Sequence, residues 1–325
     1  MANLTLTVTQ VQAETPIIRS IVLANANNEP LPGFTAGAHI KVSIPGQKEP
    51  RCYSLVCLNS DETLFSAPTS YRLGIRLEDA SKGGSEYMHR LNVGDVLQVE
   101  GPKNDFPLHA AEPAEHPAML IAGGIGITPI AAMAATLKAQ GRAFELHYYG
   151  RSREQMGFVP ALAEHYGDAL HLHADDDPAT QLPLPQLLDR LDTVQHLYVC
   201  GPKGLIDAVV EQSHGKQWPH SHVHFELFTT AAPQAGDRSF DVELRQSGQV
   251  FHVPADKTIL DVLEEAGCDP LFDCKRGECG VCQATVLEGI PDHRDYYLSD
   301  TEKAAGNVIQ LCISRSHSDR LVLDL

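Results

Sequence analysis

The stretch CKRGECGVC, at residues 274–282, places three of the eight cysteines within nine residues, and Cys312 follows after a further 29. Thiolates are strong ligands for soft metal ions and for iron. Gly277 and Gly280 lie between the cysteines, where they allow the backbone to wrap closely around a bound group. The stretch therefore predicts a loop that closes around a cysteine-bound metal centre.

The spacing of these cysteines distinguishes two kinds of metal centre. C-x4-C-x2-C followed by a distant fourth cysteine is typical of a [2Fe–2S] cluster, in which two thiolates bind each iron. Structural zinc sites also use four cysteines, but they usually arrange them as two C-x2-C pairs. We therefore predict a [2Fe–2S] cluster, with zinc as the alternative, and the predicted ligands are Cys274, Cys279, Cys282 and Cys312.

Composition limits the classes of protein to which the chain can belong. Its 325 residues correspond to two or three domains at about 100–200 residues each. The 25 basic and 42 acidic residues give a net charge of −17, which argues against nucleic-acid binding. The start of the chain, MANLTLTVTQ, has neither the basic residues nor the apolar core of a secretory signal. Together with the clustered cysteines, this favours the reducing cytoplasm.

One uncharged stretch, residues 117–137, is long enough on paper to cross a membrane. It contains Gly123, Gly124, Gly126 and Pro129, which interrupt a membrane helix. We therefore predict a buried strand, a glycine turn and a helix, and no membrane partner.

Hydrophobic periodicity changes twice along the chain, which predicts three domains. Residues 1–107 show short alternating strands separated by glycine turns, as in a small β-barrel. Residues 108–228 alternate apolar strands with helices, as in an α/β domain with a parallel sheet. Residues 229–238 lack periodicity and are the predicted linker. Residues 239–325 combine strands with one helix at 258–266 in an α+β unit.

Two turns in the predicted α/β domain favour nucleotide binding. Gly123, Gly124, Gly126, Thr128 and Pro129 follow a buried strand and open a helix, where glycines let a pyrophosphate approach backbone amides. The second turn, Cys200-Gly201-Pro202, follows a later strand. A glycine-rich turn can also be a packing device only, so the two turns together carry the prediction.

Two segments of the predicted barrel favour flavin binding. Arg51-Cys52-Tyr53-Ser54 offers a cation for a phosphate, an aromatic face and a hydroxyl that can reach the ring N5 region. Gly83, Gly84 and Ser85 precede a predicted helix and can bind a phosphate through backbone amides and a hydroxyl. The alternatives are an edge-strand arginine with a core tyrosine, and a plain solvent turn.

These motifs occur in an order that resembles the phthalate dioxygenase reductase family across essentially the whole chain. The last unit resembles plant-type ferredoxin domains, and the two turns resemble the pyridine-nucleotide half of ferredoxin–NADP reductases. The resemblance implies a multi-domain protein with a β-barrel flavin domain, an α/β nucleotide-binding domain and an α+β ferredoxin domain of β-grasp-like topology. It also implies FMN in preference to FAD, and NADH in preference to NADPH.

The resemblance further assigns roles to individual residues. Cys200 is expected beside the nicotinamide, and Ser54 near flavin N5, as the two catalytic positions. Gly74, Ile75 and Arg76 on one barrel strand are expected to contact the flavin. Arg151 is expected at the adenosine end of NADH, and Phe228 near the flavin face or in the core.

The predicted activity is that of the NADH-dependent reductase component of an oxygenase or demethylase. Electrons pass from NADH to FMN, to the [2Fe–2S] cluster and then to a terminal oxygenase, which the resemblance suggests is a Rieske enzyme acting on an aromatic compound. Two alternatives stay open. One is a FAD-containing reductase of another monooxygenase system, and the other is a zinc-stabilised binding module without redox chemistry.

Overall fold

The structure is a computed structural model that describes residues 2–27, 29–59, 63–109, 116–228 and 233–325. Contacts divide the chain into two compact units, Met1–Glu226 and Leu227–Leu325. The predicted flavin and nucleotide domains both belong to the first unit. Residues 229–232 of the predicted linker lie outside the described residues, and the exact domain limits stay a prediction.

The amino-terminal part of the first unit is a β-barrel. Strand alternation buries Leu6 and Val8 of β1 in its core while Thr5 remains exposed. The strand order is β4-β3-β6-β1-β2-β5, and a bridge between Leu55 and Leu73 joins the two outer strands into a closed sheet. The elements are β1 (Asn3–Ala13), β2 (Ile18–Ala24), β3 (His39–Val42), β4 (Arg51–Ser54), α1 (Thr63–Ser66), β5 (Ser70–Arg76), α2 (Gly84–Arg90) and β6 (Val96–Lys103).

The rest of the first unit is a parallel sheet in the order β11-β10-β7-β8-β9. Strands buried on both faces read as continuous apolar runs, and β7 is buried at every position. The elements are β7 (Ala118–Gly123), α3 (Ile127–Ala139), β8 (Phe144–Gly150), α4 (Val159–Tyr166), β9 (Leu170–Ala174), α5 (Leu184–Leu188), β10 (Leu197–Cys200), α6 (Lys203–Gly215) and β11 (Val223–Glu226).

The apolar stretch at residues 117–137 forms β7, a 3₁₀ turn at Gly124–Gly126 and the start of α3, which confirms the predicted strand, turn and helix. Across the described ranges, no helix combines the length and the apolar character needed to cross a bilayer. The small residues of α3 allow it to pack closely on the sheet, and Ala131, Ala132, Ala134 and Ala135 are fully buried there.

The second unit has a mixed sheet in the order β13-β12-β18-β14-β16, with β12 and β18 parallel. Helix α7 packs against this sheet and buries Ile259, Leu260 and Leu263 in the core. A reciprocal capping box between Thr258 and Asp261 fixes its first residue. The elements are β12 (Phe240–Leu244), β13 (Val250–Val253), α7 (Ile259–Glu265), β14 (Gln283–Glu288), β15 (Pro291–Asp292), α8 (Asp300–Ala305), β16 (Val308–Gln310), β17 (Arg315–Ser316) and β18 (Arg320–Leu323).

A group of histidines packs on one face of β10 and β11. The rings of His109 and His224 stack with centroids 4.3 Å apart, and His196 Nδ1 lies 2.9 Å from His224 Nε2. Burial, together with the neighbouring His109, His196 and His222, lowers the pKa of His224 to about 3. Burial likewise lowers the pKa of His196. The rings of His196 and His224 are therefore neutral in the folded protein at neutral pH.

We predict that His196 and His224 reduce the stability of the protein as the pH falls below about 6.5, the ordinary histidine pKa. The unfolded chain takes up protons there while the folded chain does not until about pH 3, so the stability present above pH 6.5 is progressively lost on acidification. Each such group contributes a slope of at most about 1.4 kcal/mol per pH unit. Urea unfolding of wild type and His224→Gln at pH 7.5 and 5.5 measures this.

The variant is expected to lose less of its free energy of unfolding between the two pH values than wild type. His116→Gln, at an exposed position, is the matched control and is expected to follow wild type. Identical pH slopes for all three proteins would contradict the prediction. Acid effects on other groups cancel in this comparison because all three proteins share them.

Candidate cofactor sites

The two predicted nucleotide turns lie side by side at the carboxyl ends of β7 and β10. These strands are hydrogen-bonded neighbours, with Ala122 paired to Cys200. The turns pack so closely that a Cβ on Gly126 would overlap the carbonyl group of Cys200. A Cβ on Gly201 would lie 2.9 Å from the Gly123 Cα. This packing explains the glycines physically, because any side chain here would separate the two turns.

The first residues of α3 complete this corner. Thr128 and Pro129 lie in its first turn and are buried, and the Thr128 hydroxyl donates to the Ile125 carbonyl at 2.9 Å. Gly124 has a φ of 54°, in the left-handed region that favours glycine. The space beside it is open, because no atom lies within 4 Å of a Cβ placed there. The corner therefore presents backbone groups at the carboxyl edge of a parallel sheet, where ligands of open α/β sheets bind.

Strand β5 of the barrel passes directly against this nucleotide corner at Gly74. A Cβ on Gly74 would lie 2.8 Å from Thr128 Cγ2 and 3.0 Å from the Phe158 ring. The predicted flavin strand and the predicted nucleotide helix are thus in van der Waals contact within one unit. Of the other two predicted residues, Ile75 points into the barrel core and Arg76 pairs with Glu78 at 3.5 Å.

Strand β4 carries the four residues Arg51, Cys52, Tyr53 and Ser54. Cys52 is exposed and Ser54 is buried, although residues two apart on a strand share a face, so burial increases along this face towards Ser54. Tyr53 is partly buried against the barrel core, and burial raises the pKa of its hydroxyl to about 12. The tyrosine is therefore neutral and offers an aromatic face and a hydroxyl donor.

The loop before α2 lies next to Arg51. A Cβ on Gly84 would lie 3.0 Å from Arg51 Cγ, so the arginine side chain runs past this backbone. Gly83 has a φ of 92° and precedes the helix without a side-chain cap. The Ser85 hydroxyl bonds Ser81 Oγ at 2.9 Å and accepts from the Glu78 amide at 3.2 Å. A cation, a hydroxyl and backbone amides thus meet at one place, as a phosphate group requires.

The structure leaves two further predicted residues exposed. Arg151 is exposed directly after β8, at the carboxyl edge of the sheet. Phe228 belongs to the second unit and its side chain is exposed.

Sequence reasoning missed Phe158, which the structure places beside Gly74. Its φ is 65°, an unusual value for a bulky residue, and its ring is buried. Such backbone strain persists only where the surroundings enforce it, and it is frequent at functional sites. No local sequence pattern marks this residue, because its contact with Gly74 joins positions 84 residues apart.

The second unit brings the four predicted cluster ligands together. The thiol of Cys312 contacts those of Cys274 and Cys282, and Cys279 contacts Cys274. Contact with Cys312 lowers the pKa of Cys274 to about 4 and that of Cys282 to about 7, while the pKa of Cys312 is raised. Four converging sulfur atoms fit a [2Fe–2S] cluster, which four thiolates bind.

The backbone around these sulfurs contributes donors. The Arg276 amide donates to Cys274 Sγ at 3.3 Å, and Gly277 and Gly280 adopt φ values of 76° and 74° that turn the loop around the sulfurs. Amide donors to sulfur stabilise thiolates and tune a cluster's potential.

The carboxyl group of Glu278 holds this loop in place through two hydrogen bonds. Glu278 accepts from the Leu227 amide at 2.5 Å and from Arg276 Nε at 2.8 Å. Burial raises the pKa of Glu278 to about 7, although the nearby Arg276 opposes this shift. Sequence reasoning did not single out Glu278 or Arg276, since neither matches a ligand pattern.

Comparisons with known proteins identify the family. A family model described as a 2Fe-2S iron-sulfur cluster binding domain matches residues 242–317. The chain is 41% identical to vanillate O-demethylase oxidoreductase of Pseudomonas sp. strain HR199 over 313 residues, 95% of each chain. The chain belongs to this family of oxygenase reductases. It is also 38% identical to the heme-dependent oxidative N-demethylase beta subunit of Ectopseudomonas mendocina, over 96% of this chain and 95% of the relative.

A solved structure extends the match to the whole fold. Phthalate dioxygenase reductase, described as a modular structure for electron transfer from pyridine nucleotides to [2Fe-2S], is 34% identical with a TM-score of 0.69. The alignment covers 100% of this chain and 98% of that one. The predicted fold class and family are thereby confirmed. The protein is an oxidoreductase with a [2Fe–2S] domain, and its reductase fold implies flavin and pyridine-nucleotide binding.

We predict that Gly126→Ala weakens NADH use without loss of flavin. The new methyl group would overlap the Cys200 carbonyl, which is backbone and cannot rotate away, so the two turns must separate. The KM for NADH is expected to rise at least tenfold in steady-state reduction of an artificial acceptor. Gly204→Ala is the matched control, because no atom lies within 4 Å of a Cβ there. A wild-type KM in Gly126→Ala would show that the corner does not bind the nucleotide.

Proposed function

We propose that this protein transfers electrons from NADH through FMN to its own [2Fe–2S] cluster, and then to a separate Rieske-type terminal oxygenase acting on an aromatic or related compound. A flavin accepts a hydride as two electrons and can release them singly, and the cluster takes one electron at a time. The chain's own residues bind and orient these groups. They also exclude water from the contact between the nicotinamide and the flavin.

The contact at Gly74 carries this proposal. It brings the strand proposed to bind flavin within van der Waals distance of Thr128, in the first turn of the helix proposed to bind nucleotide. Hydride transfer requires the reacting atoms at about 3–3.5 Å, so the two binding sites must share a boundary without a water layer. A residue larger than glycine would force this boundary apart.

Residues around β4 are proposed to bind the flavin. Arg51 and the amides of Gly83 and Gly84, with the Ser85 hydroxyl, suit its phosphate. Tyr53 suits the ring face, and Ser54 suits a hydrogen bond near N5, where the hydride arrives. FMN is proposed in preference to FAD because the resemblance to the phthalate dioxygenase reductase family implies it.

Residues around the nucleotide corner are proposed to bind NADH. Gly123, Gly124 and Gly126 suit the pyrophosphate, and Cys200 with Gly201 and Pro202 suits the nicotinamide. Arg151 suits the adenosine end. Because Arg151 could also bind the 2′-phosphate of NADPH, this residue does not distinguish the two nucleotides. NADH is proposed in preference to NADPH because the family resemblance implies it.

A separate oxygenase is proposed as the electron acceptor. The cytoplasm is proposed as the location, because clustered cysteines without disulfides are typical of reducing compartments. A second acceptor class has its own support. One full-length relative is named as a subunit of a heme-dependent N-demethylase, which favours a haem enzyme as the alternative partner. The rates at which the reduced protein transfers electrons to a purified Rieske oxygenase and to a purified haem oxygenase distinguish the two candidate partners.

We predict that Cys274→Ser abolishes the cluster but not the reduction of the flavin by NADH. Serine removes one of the converging sulfur ligands in the second unit, whereas the flavin and nucleotide sites belong to the first. Anaerobic visible spectra before and after NADH measure both: the flavin bands bleach and the cluster bands are missing. The flavin released by heating is identified chromatographically as FMN or FAD.

Cys268→Ser is the matched control, because this cysteine is half-buried against the core of the same unit and lies outside the ligand set. It is expected to retain full iron content and the wild-type spectrum. A Cys274→Ser protein with wild-type iron would remove Cys274 from the ligand set. Wild-type protein that is colourless and unresponsive to NADH after reconstitution would reject the proposed function.

We predict that Cys200→Ala slows flavin reduction by NADH at least tenfold while flavin content stays unchanged. Cys200 is fully buried where the two turns pack together, so loss of its thiol alters the packing beneath the site proposed to position the nicotinamide. Stopped-flow absorbance under anaerobic conditions measures the rate. Cys57→Ala removes another buried thiol from the same core and is expected to react like wild type. Equal rates in the two variants would exclude the role of Cys200.

A further inference from the structure

Three potential metal ligands lie together on β9, the edge strand of the parallel sheet, and on its neighbour β8. Leu146 of β8 packs in the core with α3, so its neighbours Glu145 and His147 point to the opposite face. His147 is paired in register with His171 of β9. Ligand atoms of Glu145, His147 and His171 all lie within 4.8 Å of one another.

A chain of hydrogen bonds fixes the protonation of His147. A backbone carbonyl can only accept, so His173 Nδ1 must carry the proton in its 2.6 Å contact with the Thr180 carbonyl. In a neutral ring His173 Nε2 is then an acceptor, and it lies 2.9 Å from His147 Nδ1, which must donate. His147 Nε2 is therefore left with a bare lone pair.

That lone pair faces another acceptor. His147 Nε2 lies 3.2 Å from the Glu145 Oε2 carboxylate oxygen. Two acceptors at this distance repel unless a cation, either a proton or a metal ion, lies between them. The His171 ring stacks on His147 with centroids 4.6 Å apart and supplies a further nitrogen beside this gap.

We propose that Glu145, His147 and His171 bind Zn²⁺ or a similar first-row divalent cation. Two imidazole nitrogens, one carboxylate oxygen and a water molecule form a tetrahedral set that zinc commonly takes. The bonds from His147 through His173 to Thr180 form the outer layer that metal-binding histidines usually have, in which the second ring nitrogen donates and fixes the ring.

The geometry requires only small movements of exposed side chains. Ligand atoms around tetrahedral zinc lie about 3.3 Å apart, so the three groups must close by at most about 1.5 Å. The Glu145 side chain is 44% exposed and can rotate, and His171 is also partly exposed. His147 is 3% exposed and is fixed by its hydrogen bonds. The site thus combines one pre-oriented ligand with two adaptable ones.

The site is distinct from the nucleotide corner. Within β8, Tyr149 is the residue paired with Gly123, and His147 and Glu145 lie progressively further from the carboxyl edge. A bound ion would join β9, the edge strand of the sheet, to β8 and, through His173, to the segment that contains Thr180. We therefore expect bound metal to raise the thermal stability of the protein without changing NADH use.

Calorimetric titration of the tag-free, cluster-loaded protein with Zn²⁺ at pH 7.5 tests the site. Wild type is expected to bind one equivalent with an unchanged visible spectrum, which excludes displacement of the cluster iron. His171→Ala and Glu145→Gln are each expected to weaken binding at least tenfold, and Mg²⁺ at 1 mM is expected not to compete. Addition of Zn²⁺ is expected to raise the melting temperature of wild type and of neither variant.

His252→Ala is the matched control, because His252 and Asp241 form an exposed histidine–carboxylate pair at 2.9 Å in the second unit. Its Zn²⁺ affinity is expected to equal that of wild type. Three outcomes would overturn the proposal: equal affinity in wild type and His171→Ala, equal loss in His252→Ala, or competition by Mg²⁺. The first would mean that a proton, and no metal, lies between His147 and Glu145.

Discussion

The close contact at Gly74 is the constraint on which the arrangement of the first unit depends. At this position a barrel strand, the first turn of α3 and the ring of Phe158 meet without room for a side chain. Barrel and parallel sheet share a continuous boundary there, in which Val56 and Cys57 join the core around α3. Contacts accordingly place both in one compact unit. The two proposed binding sites, one on the barrel and one on the parallel sheet, can be adjacent only because this boundary is buried and closely packed.

Local chemistry explains why much of the fold could be predicted from the sequence. The spacing of the cysteines, the glycine turn after an apolar strand and the Thr258 cap each depend on a few consecutive residues. The element types followed from these patterns, and an end differed where a predicted residue proved to be a cap. The predicted helix at 258–266, for example, runs from Ile259 to Glu265 because its first and last predicted residues are caps.

Features that depend on register between distant strands could not be predicted in the same way. His147 and His171 become neighbours only through the pairing of β8 with β9, and nothing in either segment fixes that pairing alone. The strained backbone of Phe158 and the buried carboxyl group of Glu278 have the same origin, since both depend on partners far along the chain. The individual flavin and nucleotide contacts likewise remain predictions, because they involve groups outside the polypeptide.

The position of β18 has a consequence for biosynthesis. This strand lies between β12 and β14 in the sheet of the second unit, yet it follows every other strand of that sheet in the chain. The sheet therefore cannot assemble on the ribosome until residue 323 has emerged, although all four cysteines of the ligand set are synthesised earlier. Iron delivered to the nascent chain would meet a ligand loop that the sheet does not yet support. We therefore expect the cluster to be inserted after translation of this unit.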